Sequence, residues 1–129
     1  MARSLRSQQG FTLIEIIAVL VLLGILAAVA VPKYMDLTVE ATNKAVDAAV
    51  AELSSREAMI FGKVLLSSAG YTNDASVTGH ADYTTDLGAD FTWAVAASAT
   101  GGTITLKGTD VVLTRTASTA TQPGRWIRP

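Results

Sequence analysis
The chain has 129 residues, half of them hydrophobic but only 6% aromatic, with no cysteine and a formal net charge of −1. That length allows one small domain, and the missing cysteines remove a disulfide scaffold as a source of stability. The near-neutral, slightly acidic balance argues against a broad basic surface for nucleic acid.

Residues 1–10, MARSLRSQQG, are short, polar and basic through Arg3 and Arg6. The next 21 residues, 11–31, carry only Thr12 and Glu15 as polar side chains. A helix of that length reaches roughly 31 Å, about one hydrocarbon thickness, so the segment is expected to span a membrane once. Arg3 and Arg6 bias the N-terminus to the cytoplasmic side, which sends residues 32–129 outward. Pro32 interrupts the helical pattern without ending it. Beyond it Val39, Val46, Val50, Leu53, Ile60 and Val64 recur on one helical face, and Gly70 is a natural C-cap. The pattern predicts one long helix over about 11–68, perturbed near Pro32. The stripe is expected to face a sheet. The face with Ala41, Ala45, Ala48 and Ala49 is expected to meet other helices.

Residues 69–90 read as a polar surface loop. Alternation then begins, with Phe91, Trp93, Val95 and Ala97 on one side of a strand. Ile104 and Leu106 point inward from a second, and Lys107-Gly108-Thr109-Asp110 closes a hairpin into Val111–Thr116. Residues 91–116 thus predict a meander of about three strands, followed by a tail over 117–129. The expected fold class is α+β, a long N-terminal helix on a small antiparallel sheet, with residues 32–129 as an outward-facing head.

Glu15 carries the functional signal. A carboxylate at the centre of a bilayer costs roughly 2.5–3.5 kcal/mol on insertion scales, and less near the end of a span. A cationic partner inside the membrane would explain it. If the chain were cut between Gly10 and Phe11, the Phe11 amine of one copy and Glu15 of its neighbour would relieve each other's desolvation.

Gly10-Phe11-Thr12-Leu13-Ile14-Glu15, followed by an apolar run with Gly24 and Pro32, closely resembles the type IV pilins and the pseudopilins of type II secretion. The resemblance covers about residues 8–40. It implies that prepilin peptidase, a membrane aspartyl protease, removes a leader of residues 1–10 by cutting after Gly10, and that the same enzyme N-methylates Phe11. It also implies that Glu15 guides assembly, that the stretch from Gly24 to Pro32 loses helicity inside a filament, and that the chain polymerises with itself and other pilins on an inner-membrane assembly machinery. The family often has Lys or Arg before the glycine, where this chain has Gln9. The head lacks the disulfide-closed C-terminal loop that many pilins carry.

The resemblance places the head in the periplasm, and then at the cell surface in a pilus or inside a periplasmic pseudopilus. Roles in motility or adhesion would follow from a surface pilus. A secretory signal cut after Ala30 is the rival for the N-terminus, with a plain signal anchor behind it. A signal core of about 7–15 residues does not normally hold a carboxylate.

Asp74, Asp82, Asp86 and Asp90 match no tight calcium loop and are expected to be solvated. His80 has no cysteine or second histidine with which to share a metal. No nucleotide motif or catalytic constellation is visible, so neither an enzyme nor a cofactor is expected. Arg115, Arg125 and Arg128 with Trp126 form the one basic-aromatic group. Its sharper reading is contact with DNA or a surface through Arg125, Trp126 and Arg128. Its plainer one is a tail tucked onto the sheet, with the arginines solvated or paired to loop aspartates.

Overall fold
A computed structural model describes residues 10–129, so Arg3, Arg6, Gln9 and most of the expected leader lie outside the described residues. The chain divides into two compact units, one ending at Glu40 and one running from Ala41 to Pro129.

Helix α1, Leu13–Leu66, contributes to both units and is unbroken across Gly24 and Pro32. In the first unit every described residue is exposed, including the whole apolar run. The helix is long and apolar enough there to cross a membrane, and none of that stretch is buried within the chain.

The second unit has its own interior. Val46, Ala49 and Leu53 of α1 pack against Ile104, Leu106, Leu113 and Trp126. Ile60, Phe61 and Val64 form a second cluster with Val77, covered by Tyr71 and Tyr83. The predicted stripe is therefore the packed face, except that Val39 lies in the first unit and is exposed. Ala45 and Ala49 belong to this face too, contrary to the expectation of an outward alanine face. They precede Ala49 and Leu53 by one turn each and so turn the same way.

Four strands follow: β1 Phe91–Ser98, β2 Gly101–Leu106, β3 Thr109–Thr116 and β4 Arg125–Ile127. They form one antiparallel sheet in the order β1-β2-β3-β4. The β2–β3 hairpin turns on Lys107 and Gly108, whose φ angles of 49° and 79° give the primed two-residue turn that suits strand twist.

The structure corrects the sequence reading at several places. The sheet has four strands rather than three, because the tail supplies β4. Helix α1 ends at Leu66, where the Ser67 hydroxyl donates to Val64 O (2.7 Å) and turns the chain toward Gly70 at φ 65°. The expected loop contains a short helix α2, Asp74–Thr78, whose Val77 is fully buried. Val95 is exposed, because register shifts on either side of it break the alternation of β1.

Candidate assembly site and the buried ion cluster
The N-terminal candidates lie at the start of α1. Phe11 is 85% exposed. Thr12 caps the helix, and its backbone N–H (2.7 Å) and hydroxyl (2.9 Å) both donate to Glu15 Oε2, while Glu15 N–H donates weakly to Thr12 Oγ1 (3.4 Å). This reciprocal arrangement is a capping box, with a carboxylate three residues into the helix satisfying the cap's own donors. The sequence reading treated Glu15 only as a partner for another copy. The T-x-x-E spacing before an apolar run was the signal for its local role. Both donations fall on one oxygen, leaving a carboxylate with a second oxygen for another donor. Gly24 has open space where a Cβ would stand, and Pro32 sits within the helix.

The C-terminal candidates do not form a common surface. Trp126 is 1% exposed, its ring 5.8 Å from that of Trp93. Its backbone N–H and C=O both engage the Ser54 hydroxyl at 3.1 Å. It is a core anchor, and its ring is not exposed beside Arg125 and Arg128. Arg125 is exposed, and Arg128 reaches Asn43 Oδ1 (3.3 Å) and Asp47 Oδ1 (3.6 Å).

Arg115 has a different role from its two basic companions. Its side chain is fully buried, and its guanidinium donates five hydrogen bonds, the full capacity of the group. Nε bonds Glu57 Oε2 (3.0 Å) and Nη2 bonds Glu57 Oε1. Nη1 and Nη2 bond the two oxygens of Asp74 at 2.8 and 2.7 Å, and Nη1 also bonds Ala99 O (3.0 Å). Asp74 further accepts from the backbone N–H and hydroxyl of Ser118, both at 2.7 Å. Burial disfavours the Arg115 charge, but hydrogen bonds to Asp74 and Glu57 outweigh it and raise its pKa. Donation by Arg115 holds the Asp74 carboxyl far below the usual carboxylate range, against burial and with help from Ser118.

Glu57, 0% exposed, escaped the sequence reading. The signal was present, since Glu57 falls between Leu53 and Ile60 on the apolar stripe, at spacings of four and three. Asp74 is thus not a solvated loop residue. Asp82 accepts from Lys63 Nζ (2.7 Å), and Asp86 Oδ1 accepts from Gly88 N–H (2.8 Å), so the loop aspartates serve separate partners. His80 Nδ1 accepts from the Asp82 backbone N–H (3.1 Å). Among the described residues no acidic, histidine or cysteine group is arranged to hold a metal ion.

Comparison with known proteins agrees with the N-terminal reading. Residues 5–31 match the prokaryotic N-terminal methylation motif. The chain is 37% identical over 67 residues to a fimbrial protein of Pseudomonas aeruginosa, covering 50% of this chain and 44% of that protein. It is 49% identical over 51 residues to the type IV narrow pilus major component PilA5 of Thermus thermophilus, covering 40% of this chain and 44% of that protein. The matches therefore span less than half the length of these relatives. No solved structure matches the chain significantly.

Proposed function
We propose that this chain, which carries the prokaryotic N-terminal methylation motif and is similar to pilus proteins over about half its length, is a structural subunit of a type IV pilus-like filament. The observation that carries the reading is the motif itself. It sets the carboxylate of Glu15 near the start of an otherwise apolar segment that is not buried within the described chain.

On this reading prepilin peptidase cuts between Gly10 and Phe11 and methylates the new Phe11 amine. The processed chain waits in the inner membrane with its head in the periplasm, then enters the filament. Burying the apolar segments against one another exchanges lipid contact for protein contact, so packing and polar pairing set the geometry more than hydrophobic transfer does. The Phe11 amine of one copy meets Glu15 of the next. Thr12 holds that carboxylate in a fixed rotamer at the helix start, which is where a neighbouring amine would have to find it. The stretch between Gly24 and Pro32 is where helicity yields to packing, since Pro32 contributes no N–H and Gly24 no side chain. The protein's role is structural rather than catalytic. The relatives are named for pili, and nothing in the comparisons favours a secretion pseudopilus.

The test is the intact mass and N-terminal sequence of the chain purified from a host with a prepilin peptidase. A mature protein starting at Phe11 and heavier by one methyl group is expected. A chain starting at Val31 would mean a released soluble domain, and an uncut chain would mean a plain anchor. Either would overturn the filament reading.

A further inference from the structure
We infer that the Glu57–Arg115–Asp74 cluster is a latch for the C-terminal segment 117–129. While it is closed, it sets the position of that segment on the head; when it is broken, the segment detaches as a unit from a head that stays folded. This goes beyond the filament reading and does not depend on it.

A small set of contacts fastens the segment. The head has no cysteine with which to fasten it covalently. Its last strand, β4, is three residues long and pairs only with β3, too short to hold by its ladder alone. Residues 119–122 bond to each other, through Thr119 N–H to Gln122 O (2.8 Å) and Gln122 N–H to Thr119 Oγ1 (3.2 Å). Attachment to the rest of the head therefore falls on a few points. At the start, Ser118 is held by both of its donors on Asp74, while its carbonyl accepts from the Tyr71 hydroxyl (2.7 Å). In the middle, Gly124 lies so close to the Glu57 carboxylate and Arg115 Nη2 that no Cβ fits there. Near the end, Trp126 is seated on Ser54 and Trp93, and the exposed Arg128 reaches Asn43 and Asp47.

The ion cluster makes the first point and lies directly beneath the second, and it also joins α1, α2 and β3. Its members are mutually dependent. All five Arg115 donors are used and the Arg115 and Glu57 side chains are fully buried, so losing either carboxylate leaves two guanidinium N–H groups without an ionised acceptor, and losing Arg115 leaves two carboxylates without their cation. Water is the ready replacement, and the segment at Gly124 lies directly over the Glu57 carboxylate and Arg115 Nη2. Helix α1 and strands β1–β3 keep their own apolar cluster and their longer ladders. The latch thereby controls whether the exposed Arg125, Ile127 and Arg128 are presented in one fixed arrangement.

The experiment is native-state hydrogen exchange with mass-spectrometric readout on the full chain in detergent micelles, comparing the parent with Glu57→Gln. The expected result is exchange in residues 119–127 faster by on the order of a hundredfold, with β2 and the 46–64 stretch of α1 within about threefold of the parent. Tryptophan emission should shift to the red as Trp126 leaves Trp93. Uniform acceleration across the head, or no change in 119–127, would overturn the latch. If Glu57→Gln does not fold, Asp74→Asn decides the matter, because it leaves the Glu57–Arg115 pair in place. It is expected to accelerate the same segment by roughly tenfold, and parent-like protection of 119–127 would equally sink the idea.

Discussion
The first unit and the head solve opposite problems with the same alphabet. From Gly10 to Glu40 every residue is exposed, so the apolar run has no interior of its own and the informative residue is a single carboxylate at its edge. In the head the apolar residues have their interior, and the informative residues are charges inside it, Glu57 and Arg115. The contrast teaches where each unit gets its cover. On the filament reading the first is covered by lipid or further copies, whereas residues 41–129 close on themselves.

The largest expected effect tests that division. Glu15→Ala removes the charge from the apolar run while leaving the head untouched. Membrane insertion should be retained or improved, because a buried carboxylate is costly. Filament yield should fall on the order of a hundredfold, because the neighbour's amine would then be buried alone. Shearing and electron microscopy against membrane fractionation measure the two separately. Normal filaments from this variant would show that the heads, not the apolar runs, specify assembly.

A head lesion should behave in the converse way. Trp126→Ala empties the centre of the larger core cluster and should cost about 3–5 kcal/mol of head stability. Denaturant unfolding of the full chain in detergent, followed by near-ultraviolet circular dichroism, reports it. Insertion of the first unit should not change. A small loss would mean that Trp126 is a lid rather than an anchor.

How much of this was legible in the sequence follows from the range of the interactions. The apolar run, the long helix, the three longer strands and the Lys107-Gly108 turn are written in neighbouring residues, where periodicity and turn chemistry act. Strand β4 was missed because Arg125–Ile127 is too short for alternation to show. Helix α2 was missed because the five residues Asp74–Thr78 barely complete one helical turn. Of the assembly candidates, Glu15 stood out by its cost in a membrane, yet its local partner Thr12 went unread. Glu57 and Arg115 each occupy an inward position in their own pattern, Glu57 on the helix stripe and Arg115 two residues after Leu113. Their pairing joins residues 58 apart in the chain, which no local window contains.

Acid sharpens the comparison further. The folded pKa of Asp74 is depressed, so its contribution to stability is fully present above the unfolded value of about 3.9 and is lost as pH falls from there toward the folded value. The stability gap between the parent and Asp74→Asn should therefore be constant from neutral pH to about pH 5 and narrow below pH 4. Denaturant midpoints at three pH values measure it. A gap that widens on acidification would contradict the assignment of Arg115 as the group that holds Asp74 ionised.

The smallest expected effect separates burial from charge as the source of these differences. Lys63–Asp82 and Arg115–Asp74 are both cation–carboxylate pairs at 2.7 Å. The side chains of Lys63 and Asp82 are about half exposed, whereas Arg115 is sealed. A pair in water gains little, because solvent screens it and two long side chains lose freedom to hold it. Lys63→Ala should leave the melting temperature within about 2 °C of the parent, and added salt should erase what difference there is. The same salt should leave most of the Asp74→Asn deficit in place, since in the parent the Arg115 side chain is fully buried and Asp74 is only 22% exposed. Equal salt sensitivity of the two variants would mean that the cluster around Arg115 is open to solvent, and the contrast between the head's surface and its interior would lose its basis.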